Sequence, residues 1–170
     1  MQLIILGAGG FANTIADIAN QMEKYDSINF LDDNKTGRNI IGKCSDFSCY
    51  IQNDVFFFPA IGNNEIRLKW IAKLKEHHAG FAKIIHPTAY ISPTSLIGLG
   101  CAILPNSIIN TNCRIEEGCI INCGAIVDHD CIIEEGVHVC LGAIVKGENR
   151  IPRCRKIEAG EIIQFGSFLK

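Results

Sequence analysis

The chain has 170 residues, enough for one large domain or two small ones, and 48% of them are apolar, which is ample for a hydrophobic core. A net charge of -2 gives no basis for binding nucleic acid or an acidic membrane surface. The apolar start at residues 2–6 is too short for a signal or spanning segment, and no later stretch reaches membrane length. We therefore expect a cytoplasmic protein that binds neither nucleic acid nor membrane.

The first elements predict a Rossmann-like opening. Residues 2–6 read as a buried strand, a glycine turn follows at Gly7-Ala8-Gly9-Gly10, and residues 14–22 have a helical pattern. A second strand at 27–31 ends in Asp32-Asp33, where carboxylates can accept hydrogen bonds from a ribose or a uracil ring. The same pattern fits a dinucleotide fingerprint for NAD, but the unit lacks the second mononucleotide half.

The next segment repeats this arrangement of strand, bare backbone and helix. Residues 34–42 are polar and turn-like, and residues 55–61 predict a buried strand that leads into Gly62 and a helix over 65–77, capped by Asn63 or Asn64. We expect a last short strand at 81–85. Loops at the carboxyl ends of such strands are where open α/β sheets bind ligands.

From residue 85 onward, Ile or Val recurs every six residues without a break. A helix needs apolar residues near every 3.6 positions and a flat strand near every 2, so this period favours a parallel β-helix with short strands. The positions are Ile85, Ile91, Ile97, Ile103, Ile109, Ile115, Ile121, Val127, Ile133, Val139, Val145, Ile151, Ile157 and Ile163.

Two residues before each of these, from Ala89 to Ala143, the side chain is small, as an inward corner at interior packing density requires. Four of the nine cysteines fall on this line, so we interpret them as small apolar residues rather than as disulfide partners or metal ligands. The line fails at Asn149, Arg155 and Glu161, so we expect the last coil to be looser or covered by another part of the chain.

The repeat Ile-x-x-x-small-x resembles that of the hexapeptide acyltransferases, which fold as left-handed β-helices. The whole chain resembles sugar acetyltransferases of the sialic-acid O-acetyltransferase and UDP-4-amino-sugar N-acetyltransferase type. The resemblance implies a Rossmann-like α/β domain over 1–82, which binds a nucleotide-sugar, and an all-β left-handed parallel β-helix over 83–170. It also implies acetyl-CoA as co-substrate and a homotrimer with active sites between subunits. The matching motifs are Gly7-Ala-Gly-Gly10, Phe30-Leu-Asp32-Asp33, Ala60-Ile-Gly62-Asn-Asn-Glu-Ile-Arg67, His86-Pro87 and Asp128-His129-Asp130.

The resemblance also assigns the substrate contacts. Gly9, Gly10 and Phe11 are implied to face the nucleotide-sugar, Asp32 and Asp33 its uridine, and Gly62 to make a close backbone contact. Family members usually have His at the position of Phe11.

His129 is the candidate catalytic base. It follows the inward Val127 by two residues, so it lies on the outer surface of the coil, and it has a suitable pKa near neutrality. A neighbouring carboxylate fixes the imidazole tautomer and raises its basicity. The resemblance gives this role to Asp130, with Asp128 as the fallback. The alternative from the residues alone is a solvated histidine on a solenoid face.

The family's coil of three hexapeptides places Gly147 over His129, where we expect a groove for pantetheine. His138 lies half a turn away, so it can join His129 only from a neighbouring subunit. The resemblance implies that His138, Gly142 and Gly147 contact acetyl-CoA; the alternative for His138 is a subunit contact without ligand. The basic residues of 146–156 could meet the phosphates of coenzyme A or simply be a solvated face.

We therefore predict an acetyl-CoA-dependent N-acetyltransferase acting on the amine of a nucleotide-activated amino sugar. A sialic-acid-type O-acetyltransferase and a non-catalytic sugar-nucleotide-binding scaffold remain alternatives. A zinc hydratase is a further alternative, which would need His86, His129 and His138 together. No metal is expected in the favoured function.

Overall fold

A computed structural model describes residues 1–37 and 39–168. The N-terminal region is a five-stranded parallel sheet of order β3-β2-β1-β4-β5. Its elements are β1 (Gln2–Leu6), α1 (Gly10–Gln21), β2 (Ser27–Leu31), β3 (Ile40–Gly42), a 3-10 helix (Cys44–Tyr50), β4 (Val55–Pro59), α2 (Asn64–Glu76) and β5 (Gly80–Phe81). The strand order reverses between β1 and β4, so the loops after these two strands line the crevice where such sheets bind ligands.

Several elements differ from the sequence prediction. Helix α1 begins at Gly10, four residues earlier than the apolar pattern indicates, because Gly10 to Asn13 already form its first turn. The segment expected as a turn contains β3, and the 3-10 helix was not predicted. Helix α2 spans Asn64–Glu76, one residue earlier than predicted at each end, and its cap is Asn63, one of the two predicted, whose side chain accepts a hydrogen bond of 3.0 Å from the Ile66 amide.

The strand expected at 81–85 is in fact two strands in different sheets. Gly80–Phe81 completes the N-terminal sheet beside β4, and the next strand, at Ile84–Ile85, belongs to the following region. The proposed boundary between 1–82 and 83–170 falls in the interval between them.

The following region consists of two-residue strands, each turning into the next. In chain order they are β6 (Ile84–Ile85), β7 (Tyr90–Ile91), β8 (Leu96–Ile97), β9 (Ala102–Ile103), β10 (Ile108–Ile109), β11 (Arg114–Ile115), β12 (Ile120–Ile121), β13 (Ile126–Val127), β14 (Ile132–Ile133), β15 (His138–Val139), β16 (Ile144–Val145), β17 (Arg150–Ile151), β18 (Lys156–Ile157) and β19 (Ile162–Ile163).

Every third strand joins the same parallel sheet, so the chain winds as a three-sided prism. We call the sheet that begins with β6 the first face, that with β7 the second face and that with β8 the third face. Pairs such as Ile108 with Ile126 show that the coil has eighteen residues. The predicted Ile and Val line forms the continuous core of the prism, together with the small residues beside it.

The N-terminal region packs on the first face and on the edge where the third face turns into the first. Helix α1 shares a core with the first face through Ile15, Ala102 and Ile120. Helix α2 lies against that edge, where a Cβ on Gly118 would come within 2.5 Å of Ile71 and one on Gly136 within 2.8 Å of Leu68. Both glycines also have positive φ, which permits the tight turn and the close approach of the helix.

The last coil is covered, as the failure of the small-residue line predicts. Phe168 packs on the prism core, and its amide donates a 2.8 Å hydrogen bond to Asn149. The Arg155 guanidinium lies 4.6 Å from the centre of the Phe168 ring. Asn149 is fully buried and donates to the carbonyls of Lys146 and Gln164, so its polar atoms are satisfied.

Candidate active site

The catalytic candidate lies at the edge where the second face turns into the third. Between β13 and β14 the chain makes a turn at 128–131, with Asp130 at φ +56°. Asp tolerates this left-handed conformation better than most residues. The His129 side chain is 42% exposed, and its Nδ1 lies 2.9 Å from Asp130 Oδ2.

This pairing gives His129 the chemistry of a general base. An Nδ1–H that donates to Asp130 leaves the Nε2 lone pair free to accept a proton. The hydrogen bond with Asp130 is the main reason why the pKa of His129 is raised, and the negative charge of Asp128 raises it further. Asp128 is the more distant carboxylate, with its Oδ2 at 3.9 Å from Nε2.

Two asparagines of the preceding coil hold these carboxylates, and the sequence analysis did not identify them. Asn112 Nδ2 donates to Asp130 Oδ1 over 3.2 Å, and Asn110 Nδ2 donates to Asp128 Oδ1 over 3.1 Å. Each asparagine stands eighteen residues before its aspartate, so the coil length that predicts Gly147 could have found them as well.

Gly147 lies over His129, as the coil length predicts, but the expected groove is filled. A Cβ on Gly147 would stand 2.8 Å from both Cε1 and Nε2 of His129, because the imidazole itself occupies the space that the glycine leaves. One coil further on, the half-exposed Phe165 has its ring centre 6.3 Å from that of His129. Gly142 has open space around its Cβ position.

The crevice between β1 and β4 contains the predicted substrate glycines. A Cβ on Gly9, Gly10 or Gly62 would meet no heavy atom within 4 Å, so a ligand can approach the backbone at all three. Gly9 is the N-cap of α1, whose first amides point into this crevice. Phe11 is partly buried and packs against the core that α1 shares with the prism.

Asp32 braces the glycine turn. Its carboxylate accepts hydrogen bonds from the amides of Ala8 at 2.6 Å and of Asn34 and Lys35 at 2.9 Å. Burial opposes ionisation, but these hydrogen bonds outweigh it and lower the pKa of Asp32.

Asp33 is more exposed and accepts one hydrogen bond of 2.9 Å from the Cys44 amide. Both carboxylates line a cavity of about 410 Å³, and a second cavity of about 300 Å³ lies beside Phe30. Lys35, which the sequence analysis did not single out, lines both cavities and donates to the Ala8 carbonyl over 2.8 Å.

His138 is on a different side of the prism from His129. It belongs to β15 on the first face, the face that carries the N-terminal region, and pairs with Ile120. It is partly exposed, and its Nε2 lies 3.0 Å from Asn122 Nδ2. Burial and the positive charge of Arg67 lower its pKa to about 4, so the imidazole is neutral. Within one chain the two histidines therefore do not meet, as the sequence analysis predicts.

The basic residues of 146–156 have partners of their own. Arg150 pairs with Glu134, Arg153 with Glu65 and Glu135, Arg155 with Glu161, and Lys156 with Glu158. Lys146 donates to Gln164. These contacts favour the interpretation of this segment as a solvated, ion-paired face over that of a phosphate site.

Within residues 1–37 and 39–168 no group of three or more His, Cys, Asp or Glu side chains is arranged to hold a metal ion. His86 is buried at the junction, between Thr88 and Gln21, away from the edge that carries His129. The three histidines that a zinc hydratase would require are thus apart within the chain. Over the same residues, no helix has the length and apolar character needed to cross a membrane.

Comparison with known proteins agrees with this arrangement. Residues 2–74 match the model of the PglD N-terminal domain family. The acetyltransferase domain of PglB from Neisseria gonorrhoeae FA1090 is 29% identical, with a TM-score of 0.93 over 96% of this chain and 82% of that one.

The chain is thus similar, over nearly its whole length, to a solved acetyltransferase domain. The PglB domain has also been solved in complex with acetyl coenzyme A, with a TM-score of 0.92 at the same identity and coverage. PerB from Caulobacter crescentus, solved with CoA and GDP-perosamine, is 24% identical over 97% of this chain and 89% of its own, with a TM-score of 0.83. The fold class predicted from the sequence, a Rossmann-like α/β domain followed by a left-handed parallel β-helix, is confirmed.

Proposed function

We propose that this acetyltransferase transfers the acetyl group of acetyl-CoA to the amine of a nucleotide-activated amino sugar of the UDP-4-amino-sugar type. The observation that carries the proposal is the His129–Asp130 pair, which presents an accessible Nε2 lone pair at an edge of the prism. The similarity to the PglB acetyltransferase domain, solved with acetyl coenzyme A, supports the choice of co-substrate.

His129 acts as the general base in this mechanism. Its Nε2 accepts the proton that the sugar amine loses as the nitrogen–carbon bond forms, and it returns that proton to the coenzyme A sulfur as the carbon–sulfur bond breaks. Asp130 fixes the productive tautomer through Nδ1 and stabilises the imidazolium that forms in between. The chemistry needs no covalent enzyme intermediate.

The chain offers residues that fit acetyl-CoA at the two edges of the second face. Gly142, where the first face turns into the second, has open space around its Cβ position, and Gly147, at the edge of His129, has no side chain to separate a ligand from the imidazole. The exposed ring of Phe165 adds apolar surface beside His129. We propose that these residues hold the pantetheine arm, together with His138 of an adjacent subunit.

The nucleotide-sugar is proposed to bind in the N-terminal domain, between Gly9, Gly10 and Phe11 on one side and Gly62 on the other. The glycines leave the backbone open to the ligand, and the cavity lined by Asp33 and Lys35 lies beside them. Asp33 is the carboxylate that we expect to contact the uridine, while Asp32 acts through the loop that it braces.

The proposed sites lie between subunits. The N-terminal domain packs on the first face, whereas His129 is at the opposite edge, between the second and third faces. A nucleotide-sugar held by one chain would therefore react at the His129 of its neighbour, which supports a homotrimer. The second face supplies a surface for association, since its outward row is apolar throughout: Tyr90, Ile108, Ile126, Ile144 and Ile162.

Release of coenzyme A tests the proposal. The purified protein, given acetyl-CoA and a panel of UDP-4-amino-sugars, is expected to release coenzyme A with at least one acceptor, and His129→Ala is expected to abolish this. His77→Ala, on an exposed histidine at the end of α2, is the matched control and should retain activity. Turnover only with hydroxyl acceptors, no turnover at all, or full activity in His129→Ala would each contradict the proposal.

A further inference from the structure

Asn122 and His138 form a hydrogen-bonded pair, and the backbone amide of Cys123 fixes which of the two is the donor. Asn122 stands at the edge that follows β12, one coil before His138, with its Nδ2 3.0 Å from His138 Nε2. Its other side-chain atom, Oδ1, accepts a 2.8 Å hydrogen bond from the Cys123 amide. Because a backbone N–H can only donate, the amide of Asn122 cannot turn over without losing this bond.

The fixed amide decides which nitrogen of His138 carries the proton. The Asn122 NH2 group donates, so His138 Nε2 must accept and has no proton of its own. A second proton on the ring is opposed by burial and by the charges of Arg67 and Lys156, which outweigh the attraction of Glu158. Arg67 remains charged near neutral pH, because burial lowers its pKa only to about 10.

The remaining nitrogen of His138 is available to a ligand. Nδ1 carries the single proton, and it has no hydrogen-bond partner in the part of the chain that the structure describes, residues 1–37 and 39–168. The ring itself is partly exposed on the face next to the N-terminal domain. His138 is therefore arranged to donate one neutral hydrogen bond, and it cannot act as a base through Nε2.

We propose that Asn122 is a positioning residue that holds His138 in the neutral Nδ1–H tautomer, so that His138 donates to the carbonyl oxygen of the acetyl thioester. This proposal rests on the proposed function. The two histidines then have opposite roles set by their partners: the Asp130 carboxylate makes His129 a base, and the Asn122 amide makes His138 a donor. A donor aimed at the thioester oxygen stabilises the negative charge that develops there during attack by the amine.

Asn122→Asp tests this assignment, because it keeps an oxygen for the Cys123 amide and replaces the donor facing Nε2 by an acceptor. The measurement is ¹H–¹⁵N correlation NMR of the ligand-free protein with ¹⁵N-labelled histidines, with the His138 signal assigned by its loss in His138→Gln. Five histidines in the chain keep the spectrum simple. We expect a protonated Nδ1 in the unaltered protein and a protonated Nε2 in Asn122→Asp.

The same variant is then assayed at neutral pH. We expect kcat to fall by at least about tenfold, because the donor to the thioester is lost, while KM for the nucleotide-sugar changes little. Asn106→Asp is the matched control: it introduces the same charge at an exposed position on the same edge of the preceding coil, and it should leave both the tautomer and kcat unchanged.

An Nε2-protonated His138 in the unaltered protein, an unchanged tautomer in Asn122→Asp, or a normal kcat in that variant would each overturn the proposal. The NMR result does not depend on turnover. If the proposed function is wrong, the unaltered protein will show no acetyl transfer. That outcome is distinguishable from a failure of the Asn122–His138 proposal, which the NMR measurement detects.

Discussion

At the scale of single residues, the chemistry depends on the charge that His129 faces. Asp130→Asn keeps an oxygen to accept from Nδ1 but removes the negative charge that raises the pKa of His129. His129 can accept a proton only while its imidazole is neutral, so kcat/KM falls as the pH drops through the pKa of His129. With a lower pKa, the acidic limb of kcat/KM should move to lower pH, and the plateau should fall because the base is weaker.

A pH profile of the two variants measures this prediction. We expect a plateau lower by at least about tenfold for Asp130→Asn. Asp128→Asn removes a carboxylate at 3.9 Å and should shift the limb less. Titration of the substrate amine is common to both profiles and cancels in the comparison. An unmoved limb in Asp130→Asn, or a larger shift in Asp128→Asn, would contradict the assignment of Asp130 as the partner of His129.

The residues that the sequence could identify are those governed by the coil length. Gly147 follows His129 by one coil, so its place over the imidazole is predictable from spacing alone. What fills the space between them is not, since that depends on the rotamer of the histidine. The role of Asp32 as a brace was also beyond reach, because the sequence does not show that backbone amides of two loops converge on its carboxylate.

At the scale of elements, Arg67 joins helix α2 to the prism. It is fully buried, and it donates to the carbonyls of Gly118 at 2.7 Å and of Ile61 and Gly136 at 2.8 Å. Arg67→Met would leave these buried acceptors without a donor, and we expect it to lower the free energy of unfolding by about 3 kcal/mol. Urea unfolding at fixed protein concentration measures this loss.

Arg153→Met is the matched control for this loss. Arg153 is half-exposed, and its ion pairs with Glu65 and Glu135 should contribute no more than about 1 kcal/mol. A loss in Arg67→Met no greater than that in Arg153→Met would contradict the junction role of Arg67.

Strands that are set by their own residues can be predicted from the sequence, whereas strands that are set by their pairing partners cannot. The apolar runs of β1 and β4 are visible in the sequence because these central parallel strands are buried on both sides, whereas most of β2 is only partly buried. The split between β5 and β6 is not visible, since the segment is short and mostly apolar apart from Lys83, and only the partner strands assign its two ends to different sheets. Similarly, β3 pairs with the edge of β2, and its two isoleucines are too short a run within a polar segment to predict a strand on their own.

At the scale of the whole molecule, the N-terminal domain and His129, the proposed base, lie on different sides of the prism. The shared core of α1 with the first face holds the domain on the side of the prism opposite the edge that carries His129. The account therefore requires that each active site takes His129 from one chain and the nucleotide-sugar domain from another. Two variants that each disable one half of the site can test this requirement directly.

The decisive measurement is acetyl transfer by mixed oligomers of His129→Ala and Gly62→Phe. A side chain at Gly62 meets no heavy atom at its Cβ, so this variant should fold while blocking the ligand crevice. Each variant alone should be inactive, and co-expression in equal amounts should restore about a quarter of the unaltered activity, since a quarter of the shared sites combine two intact halves. Mixed oligomers that stay as inactive as either variant alone would contradict the account.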